Sequence, residues 1–352
     1  MNPSRTDARK MKELILVTGG TGYIGSHTAV ELINEGYEVV IVDNLSNSTT
    51  DSLDGIEKIT GVRPSFEQFD LCDKPLLEAF FNKYPHLKAV IHFAAFKAVG
   101  ESVDFPLMYY RNNLVSLVNL LECMGQFKVP SIVFSSSCTI YGQPKELPVT
   151  EDAPILPAES PYGNTKQISE EILRDSVRST PDLQVIALRY FNPIGAHPTA
   201  LIGELPRGVP NNLVPFVTQT AAGLRGELSV FGDNYPTPDG SAVRDYINVT
   251  DLAKAHVTAI RRLINRQNEP GIEFFNLGTG HGTSVLEVLK TFEKVTGVTV
   301  NYKIVGRRAG DIVAVWADTT KANHVLGWKA ETSLEDTLLS AWNWEKKLRG
   351  IQ

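Results

Sequence analysis

The apolar segment LILVT (residues 14–18) runs directly into the glycine-rich turn GGTGYIG, and an amphipathic stretch follows. Every third position of this turn is glycine, as Gly19, Gly22 and Gly25. Such glycines let a chain turn tightly after a strand, let backbone N–H groups approach a pyrophosphate, and let the next helix pack closely on a sheet. The helix start adds unpaired N–H groups and a partial positive charge. Although the spacing is GxxGxxG rather than GxGxxG, its place between strand and helix predicts a dinucleotide-binding unit.

Short apolar segments typical of buried strands alternate with longer amphipathic stretches through the first half of the chain. Strands are predicted over residues 14–17, 39–42, 66–69, 89–93, 132–134 and 185–188. Helices are predicted over residues 24–34, 75–82, 107–124 and 161–177. Because a strand–helix–strand crossover is right-handed and joins parallel strands, this alternation predicts an α/β fold with a doubly wound, parallel, Rossmann-type sheet.

The second half has a looser pattern, and we expect it to form a smaller C-terminal α/β substrate lobe. Its predicted elements are helices at 251–264, 284–295 and 333–347 and strands at 273–277 and 298–304. We assign residues 1–190 to the dinucleotide-binding domain and 191–352 to the substrate lobe, with some later segments returning to the first domain. A second glycine cluster, residues 278–282, favours a tight turn over a second nucleotide site because no acidic residue ends a following strand.

Composition excludes several classes of partner. The 352 residues carry 34 Lys and Arg against 40 Asp and Glu, a net charge of −6, so no nucleic acid or anionic membrane surface is expected as a partner. No run approaches the roughly 18 apolar residues of a membrane span. The 3 cysteines form no CxxC pair, which predicts a reducing, cytoplasmic location. The 7 histidines show no HxxxH or HExxH spacing, so no metal site is expected.

An acidic residue, Asp43, ends the second predicted strand, VVIVD. Its offset from the glycine turn is close to the roughly 20 residues at which an acidic side chain binds the adenosine ribose. No Arg or Lys occurs at 44–48, so a 2′-phosphate would meet a carboxylate and no cation. These features favour NAD over NADP as the cofactor. Asp70, after the third predicted strand, is a weaker candidate for the adenine end.

Tyr162 and Lys166 lie four residues apart on one face of a predicted helix. The preceding Ser160 and Pro161 suit the N-cap and the first position of that helix. A tyrosine with a pKa of about 10 is a poor base, but a neighbouring ammonium and a positive nicotinamide ring both favour the phenolate. A phenolate can accept a proton from an alcohol while hydride leaves the alcohol carbon. Ser137, at the end of the fifth predicted strand, can orient the same oxygen.

Longer motifs occur in one order along the chain: TGGTGYIGSH, HFAAFKAVGES, SSSCTIYG, SPYGNTK, RYFNPIGAHP, GVPNNLVP, VRDYINVTDLA and the RRAGD segment. Over residues 14–345 the chain resembles the extended short-chain dehydrogenase/reductase family and, within it, the nucleotide-sugar 4-epimerases. The resemblance implies a tightly held NAD that is reduced and reoxidised within each turnover. It also implies a UDP-hexose substrate, with UDP-galactose and UDP-glucose interconverted by transient oxidation at C4, rotation of the 4-keto intermediate and return of the hydride.

By position, the resemblance implies Tyr162 as the base, Lys166 as its electrostatic partner and nicotinamide-ribose contact, and Ser137 as the orienting hydroxyl. Besides these three and the turn glycines, the residues that it places on NAD are Tyr23, Ile24, Asp43, Asn44, Asn47, Ser48, Asp70, Leu71, Phe93, Ala94, Ala95, Lys97, Asn112 and Phe191. Besides Ser137 and Tyr162, those that it places on the nucleotide sugar are Asn192, Asn212, Leu213, Ser229, Phe231, Arg244, Arg308, Asp311 and Val315. Arg244 and Arg308 suit a diphosphate because a guanidinium fork matches phosphate oxygens.

Three alternatives to this activity follow from the same residues. Related dehydratases carry an acidic residue after the position of Ser137, whereas Cys138 and Thr139 follow here, which disfavours a dehydratase. Val315 lies where a bulky tyrosine restricts relatives to glucose and galactose, so N-acetylhexosamine substrates stay open. An NAD-binding sensor without catalysis is the third alternative, and the intact Ser, Tyr and Lys set disfavours it.

The resemblance also implies a homodimer. The amphipathic patterns at 107–124 and 161–177 can supply two helices per subunit to a four-helix interface. The same patterns are expected of helices that pack within one subunit, so both interpretations remain.

Overall fold

The computed structural model describes residues 12–307 and 312–352 of the chain. The strands of the described residues are β1 (Leu14–Thr18), β2 (Glu38–Asp43), β3 (Ser65–Gln68), β4 (Leu87–His92), β5 (Ser131–Ser137), β6 (Gln184–Tyr190), β7 (Asn192–Ile194), β8 (Leu228–Phe231), β9 (Val243–Arg244), β10 (Tyr246–Asn248), β11 (Ile272–Leu277), β12 (Thr283–Ser284), β13 (Tyr302–Val305) and β14 (Ala314–Val315). Seven of them form one parallel sheet in the order β11-β6-β5-β4-β1-β2-β3. The predicted Rossmann-type sheet is confirmed.

Helices connect the strands and cover both faces of the sheet. They are α1 (Tyr23–Asn34), α2 (Asp51–Thr60), α3 (Lys74–Lys83), α4 (Val99–Asp104), α5 (Pro106–Gln126), α6 (Pro161–Ser179), α7 (Leu213–Ala221), α8 (Val249–Ile264), α9 (Val285–Thr296) and α10 (Leu334–Arg349). A 3₁₀ helix spans Cys138–Tyr141, and a short π-helix spans Ala322–Leu326. None of the helices in these two ranges has the length and apolar character needed to cross a bilayer.

Alternating residues of each central strand enter two separate apolar layers. Ile15 and Val17 of β1 lie in the layer that also holds α1, α2 and α8, whereas Leu14 and Leu16 lie in the layer that holds α3, α5 and α6. A strand covered on both faces reads as a continuous apolar run. This is why β1, β2, β4, β5 and β6 are recognisable in the sequence, whereas β3 lies at the edge of the sheet and has no fully buried residue.

Of the strands predicted for the second half, one lies in the central sheet and one begins later than predicted. The strand predicted at 273–277 forms β11, which pairs with β6 and extends the central sheet. The strand predicted over 298–304 begins only at Tyr302, because the N–H groups of Val298 and Val300 donate to the Thr296 hydroxyl and the Glu293 carboxylate instead of to a neighbouring strand. The smaller lobe has its own apolar core, which joins α7, α9 and α10, whereas α8 packs on the central sheet.

The glycine turn after β1 brings backbone against backbone. Gly19 has a φ of +68°, and a Cβ there would lie 2.8 Å from the Ala94 nitrogen. A Cβ at Gly25, in the first turn of α1, would lie 2.4 Å from the Gly19 oxygen. Since both neighbours are backbone atoms, neither site has room for a side chain.

Replacing Gly25 with alanine is expected to destabilise the protein. The added methyl meets a carbonyl that cannot rotate away, so the free energy of unfolding in urea should fall by about 1–3 kcal/mol. Gly125→Ala is the matched control, because Gly125 is also helical and has nothing within 4 Å of its added Cβ. Alanine there should raise stability by up to about 1 kcal/mol. Equal effects of the two substitutions would contradict this account of the turn.

Candidate active site

The carboxyl ends of the central strands lie beside the glycine turn, and we call the region between them the cleft. The chain runs outward from β1 to β2 and β3 and then returns to β4 on the other side of β1. Ligands bind at such a switch point, outside the carboxyl ends of parallel strands. Gly22 faces this cleft with an open side, because among the described residues a Cβ there would meet only the Gly19 oxygen, at 3.1 Å.

Asp43, at the end of β2, is buried beside the turn. Its carboxylate accepts hydrogen bonds from Thr21 N (3.3 Å), Leu45 N (2.8 Å) and Ser48 Oγ (3.0 Å). The Ser48 hydroxyl also lies 2.7 Å from Thr21 Oγ1. Hydrogen bonds therefore hold the loop after β2 against both the Asp43 carboxylate and the glycine turn. Asn47 lies in the same loop.

Two further residues predicted to contact the cofactor meet beside this loop. Asn44 Nδ2 donates to Asp70 Oδ2 at 3.0 Å, although the residues are 26 positions apart. The other Asp70 oxygen accepts from Cys72 N at 2.8 Å. Leu71 and Ile24, predicted for the same group, pack in the two apolar layers of the sheet.

The segment after β4 forms the next wall of the cleft. Phe93 N donates to Thr18 O at 3.1 Å, so this segment runs alongside the end of β1 and holds Ala94, Ala95 and Lys97 there. Asn112 donates to the side chain of Asn113, which in turn donates to Thr165 of α6 at 3.1 Å. This contact joins α5 to the helix that carries Tyr162.

The helix α6 begins as the sequence predicts and places the Tyr–Lys pair at the end of β5. Ser160 caps it, accepting from Gly163 N at 3.1 Å, and Pro161 occupies the first turn. Lys166 Nζ lies 6.0 Å from the centre of the Tyr162 ring and donates to Ser135 O at 2.6 Å. The Lys166 side chain is therefore held against β5, the strand that ends at Ser137.

Ser137, the last residue of β5, is oriented by its neighbour. Its Oγ accepts from Thr139 N at 3.2 Å and from Thr139 Oγ1 at 3.0 Å. With both acceptor positions used, Ser137 has its own proton left to donate, and the Tyr162 oxygen is its neighbour. A hydrogen bond with Ser137 lowers the pKa of Tyr162 below the value that burial alone would give.

Burial dominates the electrostatics of the pair. It raises the pKa of Tyr162 to about 12, with the Ser137 hydrogen bond opposing the rise. It also lowers the pKa of Lys166 to about 7, opposed by the charge of Glu170. The sequence predicted that the ammonium favours the phenolate, but in the chain by itself the phenol stays protonated at neutral pH. A further positive charge in the cleft is needed to lower the pKa of Tyr162.

The smaller lobe carries the residues predicted to hold a nucleotide sugar. Arg244 of β9 pairs with Val315 of β14, and Val315 packs in one apolar cluster with Phe191. Asn192 begins β7 and its N–H donates to Asp245 O at 3.0 Å. Others lie at the start of α7 and on β8: Asn212, Leu213, Ser229 and Phe231. Arg308 and Asp311 lie outside the described residues.

The second glycine cluster closes on an internal carboxylate. Asp245 accepts from Thr279 N, Gly280 N and Ala317 N at 2.8, 3.2 and 3.2 Å. A Cβ at Gly278 would lie 2.2 Å from the same carboxylate. The cluster is therefore a tight turn around Asp245, which lies next to Arg244 in the chain and fixes the position of β9.

Known proteins share this architecture over nearly the whole chain. The family model described as GDP-mannose 4,6 dehydratase matches residues 16–340. UDP-glucose 4-epimerases of Bacillus subtilis and Arabidopsis thaliana are each 52% identical, covering 94% and 95% of this chain and 96% and 95% of their own. The crystal structure of the Bifidobacterium longum UDP-glucose 4-epimerase in complex with NAD⁺ and UDP superposes with a TM-score of 0.91 at 48% identity, covering 96% of this chain and 100% of that chain. The chain belongs to the UDP-glucose 4-epimerase family.

Membership in the epimerase family agrees with the residue that follows Ser137. Cys138 stands where the related dehydratases carry an acid. Burial raises the pKa of its thiol to about 12, so the thiol is not ionised at neutral pH. No carboxylate follows Ser137 to donate a proton in an elimination.

The sequence did not predict a buried ionic network that lies behind Ser137, Tyr162 and Lys166. Glu170, one turn after Lys166, accepts from Ser136 Oγ at 2.6 Å and from two Arg189 nitrogens at 2.9 and 2.7 Å. Arg189 also donates to the Tyr141 hydroxyl at 2.9 Å. The only signal in the sequence is a charged residue, Arg189, within the apolar strand pattern of β6. The network fixes α6 against β5 directly beside Ser137.

The Glu170→Gln substitution is expected to lower the stability of the fold. It leaves Arg189 buried without its counter-ion, which should reduce the free energy of unfolding by about 3–5 kcal/mol. Asp175→Asn on the same helix is the matched control, because the Asp175–Arg178 pair has side-chain exposures of 76% and 77%. That change should leave the urea midpoint where it is. A similar loss in both variants would contradict a stabilising role for the buried network.

Proposed function

We propose that this chain interconverts UDP-glucose and UDP-galactose with bound NAD. The observation that carries the proposal is the meeting of Tyr162, Ser137 and Lys166 at the end of β5, beside a glycine turn and Asp43. Identity of 52% to UDP-glucose 4-epimerases supports it, as does the similar structure in complex with NAD⁺ and UDP.

The residues of the cleft fit a dinucleotide without a 2′-phosphate. Gly22 gives the backbone an open approach to a pyrophosphate, and the Asp43 carboxylate suits ribose hydroxyls. The other residues assigned to the cofactor by resemblance follow β1, β2, β3, β4 or β6, except Asn112, which lies on α5. When bound, NAD accepts a hydride from the sugar and returns it.

Within this proposal, Tyr162 accepts the proton of the sugar 4-hydroxyl and later gives it back. Ser137 donates its free proton to the reacting oxygen, which orients the sugar and stabilises charge on that oxygen. Lys166 holds its ammonium near the phenol ring and so favours the phenolate. Because the pKa of Tyr162 in the chain alone is about 12, its activation needs a further positive charge, which an oxidised nicotinamide held in this cleft would supply.

The proposed reaction requires tight binding of the nucleotide and weak binding of the sugar. Arg244, with Asn192, Asn212 and Leu213, is proposed to hold the UDP portion, and Arg308 is proposed for the same role. A 4-keto sugar anchored only through its diphosphate can rotate and present its other face to the returning hydride. Val315, which pairs with Arg244, is smaller than tyrosine and leaves more room for an acetamido group. N-acetylhexosamines are therefore an alternative substrate class.

Replacing Tyr162 with phenylalanine is expected to reduce turnover of UDP-galactose about 100- to 10,000-fold, because the proton acceptor is removed. Affinity for UDP, measured by calorimetry, should stay nearly unchanged. Tyr84→Phe is the control, since Tyr84 bonds to Glu67 at the far side of α3. The assay identifies sugar products from UDP-galactose and from UDP-N-acetylgalactosamine.

Full activity of the Tyr162→Phe variant would overturn the assignment of the base. A wild-type protein that binds NAD but forms no product from either substrate would instead support the sensor alternative. Conversion of the N-acetyl substrate by the wild type would extend the substrate class.

We propose that two copies of the chain associate through a four-helix interface to which each copy supplies α5 and α6. Apolar side chains are exposed along this surface, with Leu107 at 80% and with Met108, Val115 and Val118 at helical spacing. Exposed apolar patches of this kind mark protein interfaces. The face of α5 opposite this stripe packs on α6, so α5 and α6 form one continuous layer.

Placing a charge on this stripe is expected to separate the copies. Light scattering after size exclusion should give twice the chain mass for the wild type and the single mass for Val118→Glu, because a buried unpaired carboxylate is costly. Val62→Glu, at an exposed valine after α2, is the control and should remain dimeric. A monomeric wild type would refute the interface.

A reducing compartment such as the cytoplasm is proposed from the cysteines. Cys72, Cys123 and Cys138 are all free thiols, and Cys123 is buried. Free thiols in a fold without disulfide bonds are typical of proteins kept in a reducing environment.

A further inference from the structure

The segment between β7 and α7, residues 195–212, crosses from the smaller lobe to the cofactor side of the cleft. We call it the bridging segment. At its start, the Tyr23 hydroxyl of α1 donates to Gly195 O at 2.6 Å. In its middle, Ile202 is 3% exposed and packs with Leu53 and Ile56 of α2. The bridging segment therefore contacts α1, which precedes β2, and α2, which follows the loop after β2.

Both faces of the bridging segment carry polar contacts near Glu204. Its carboxylate lies 3.6 Å from Lys97 Nζ on the cofactor side and accepts from Asn212 Nδ2 at 2.6 Å on the substrate side. Its backbone oxygen accepts from Trp344 Nε1 of α10 at 2.9 Å. This part of the segment is held by the smaller lobe while it reaches the cofactor side.

Arg207, further along the segment, contacts the loop between β2 and α2. Its Nη1 donates to Ser46 O at 3.0 Å, and its Nη2 donates to Ser48 O. The same Ser48 bonds through its hydroxyl to Asp43 at 3.0 Å and to Thr21 at 2.7 Å. One guanidinium thus holds the loop that joins the proposed ribose carboxylate to the proposed phosphate turn.

We infer that Arg207 is a positioning residue that holds the loop after β2 closed over the adenosine end of the cleft and so slows release of NAD. The inference rests on the proposed binding of NAD in this cleft. A dinucleotide held by Asp43, Asn47 and Ser48 leaves only when their loop moves, and that movement breaks both hydrogen bonds from Arg207. Hydrogen bonds from a charged donor are the stronger kind, and the two carbonyls match the guanidinium fork.

A role for Arg207 in binding a 2′-phosphate is the competing interpretation. Both of the guanidinium's hydrogen bonds in this structure go to backbone carbonyls. The nearby Asp43 carboxylate would repel a phosphate on the ribose. The geometry therefore favours Arg207 as a loop contact.

The test measures cofactor exchange on the purified holoprotein. Protein loaded with isotopically labelled NAD is mixed with excess unlabelled NAD, and label retained on the protein is followed with time. Arg207→Met should release label about 10-fold faster than the wild type, because two charge-assisted hydrogen bonds are lost at an exposed position. Arg207→Lys, which can reach only one carbonyl at a time, should fall between them. Turnover at saturating NAD should stay at the wild-type value, and the melting temperature of the NAD-saturated protein should fall only by the amount that the weaker NAD affinity predicts.

Arg178→Met is the matched control, because Arg178 is an exposed arginine of α6 whose bond goes to Asp175 within the same helix. It should release label at the wild-type rate. Equal rates of NAD release from Arg207→Met and from the wild type would overturn the inference. It would also be overturned if Arg207→Met lost binding of NADP but released NAD at the wild-type rate. A wild-type protein that takes up no NAD at all would instead overturn the proposed function.

Discussion

The hydrogen bond from Lys166 to the Ser135 carbonyl sets the geometry on which the active site depends. It joins the helix that carries Tyr162 to the strand that carries Ser137. One turn later, Glu170 repeats the connection through Ser136, so α6 is fixed to β5 at two successive levels. A helix held at a single point could pivot and carry the phenol away from Ser137. Two levels of contact, the second of them buried and ionic, restrict that motion.

The burial that holds Tyr162 and Lys166 in place also keeps the Tyr162 phenol protonated, and a protonated phenol cannot accept a proton. A phenol with a pKa of about 12 and an ammonium with a pKa of about 7 are the result of removing both groups from water. Placing a cation beside the phenol lowers its pKa, and in this cleft the natural source of that cation is an oxidised nicotinamide. If Tyr162 is the base, as proposed, its base strength depends on the redox state of the cofactor, which suits a reaction that takes up and returns the same proton.

The sequence predicted most of the central sheet and the start of α6, because buried strands and a Ser–Pro helix start leave local patterns. It missed α2, whose ten residues include only three that are buried, Leu53, Gly55 and Ile56. It could not show that β11 pairs with β6 or that Glu170 meets Arg189, since each contact joins distant parts of the chain. Asp43 was identified from its offset alone, whereas its contact with Ser48 depends on how the next loop folds.

The two glycine clusters show why a local pattern needs its tertiary surroundings. Both follow a strand of the central sheet, and in each a glycine packs too closely for a side chain. At Gly22 the turn has an open side and a helix N-terminus behind it, so its N–H groups are available to a ligand. At Gly280 the N–H instead donates to Asp245, a carboxylate supplied by the protein itself. The Asp245 carboxylate accepts hydrogen bonds from the second cluster and fixes the strand of Arg244, so that turn is part of the framework of the smaller lobe rather than a second nucleotide site.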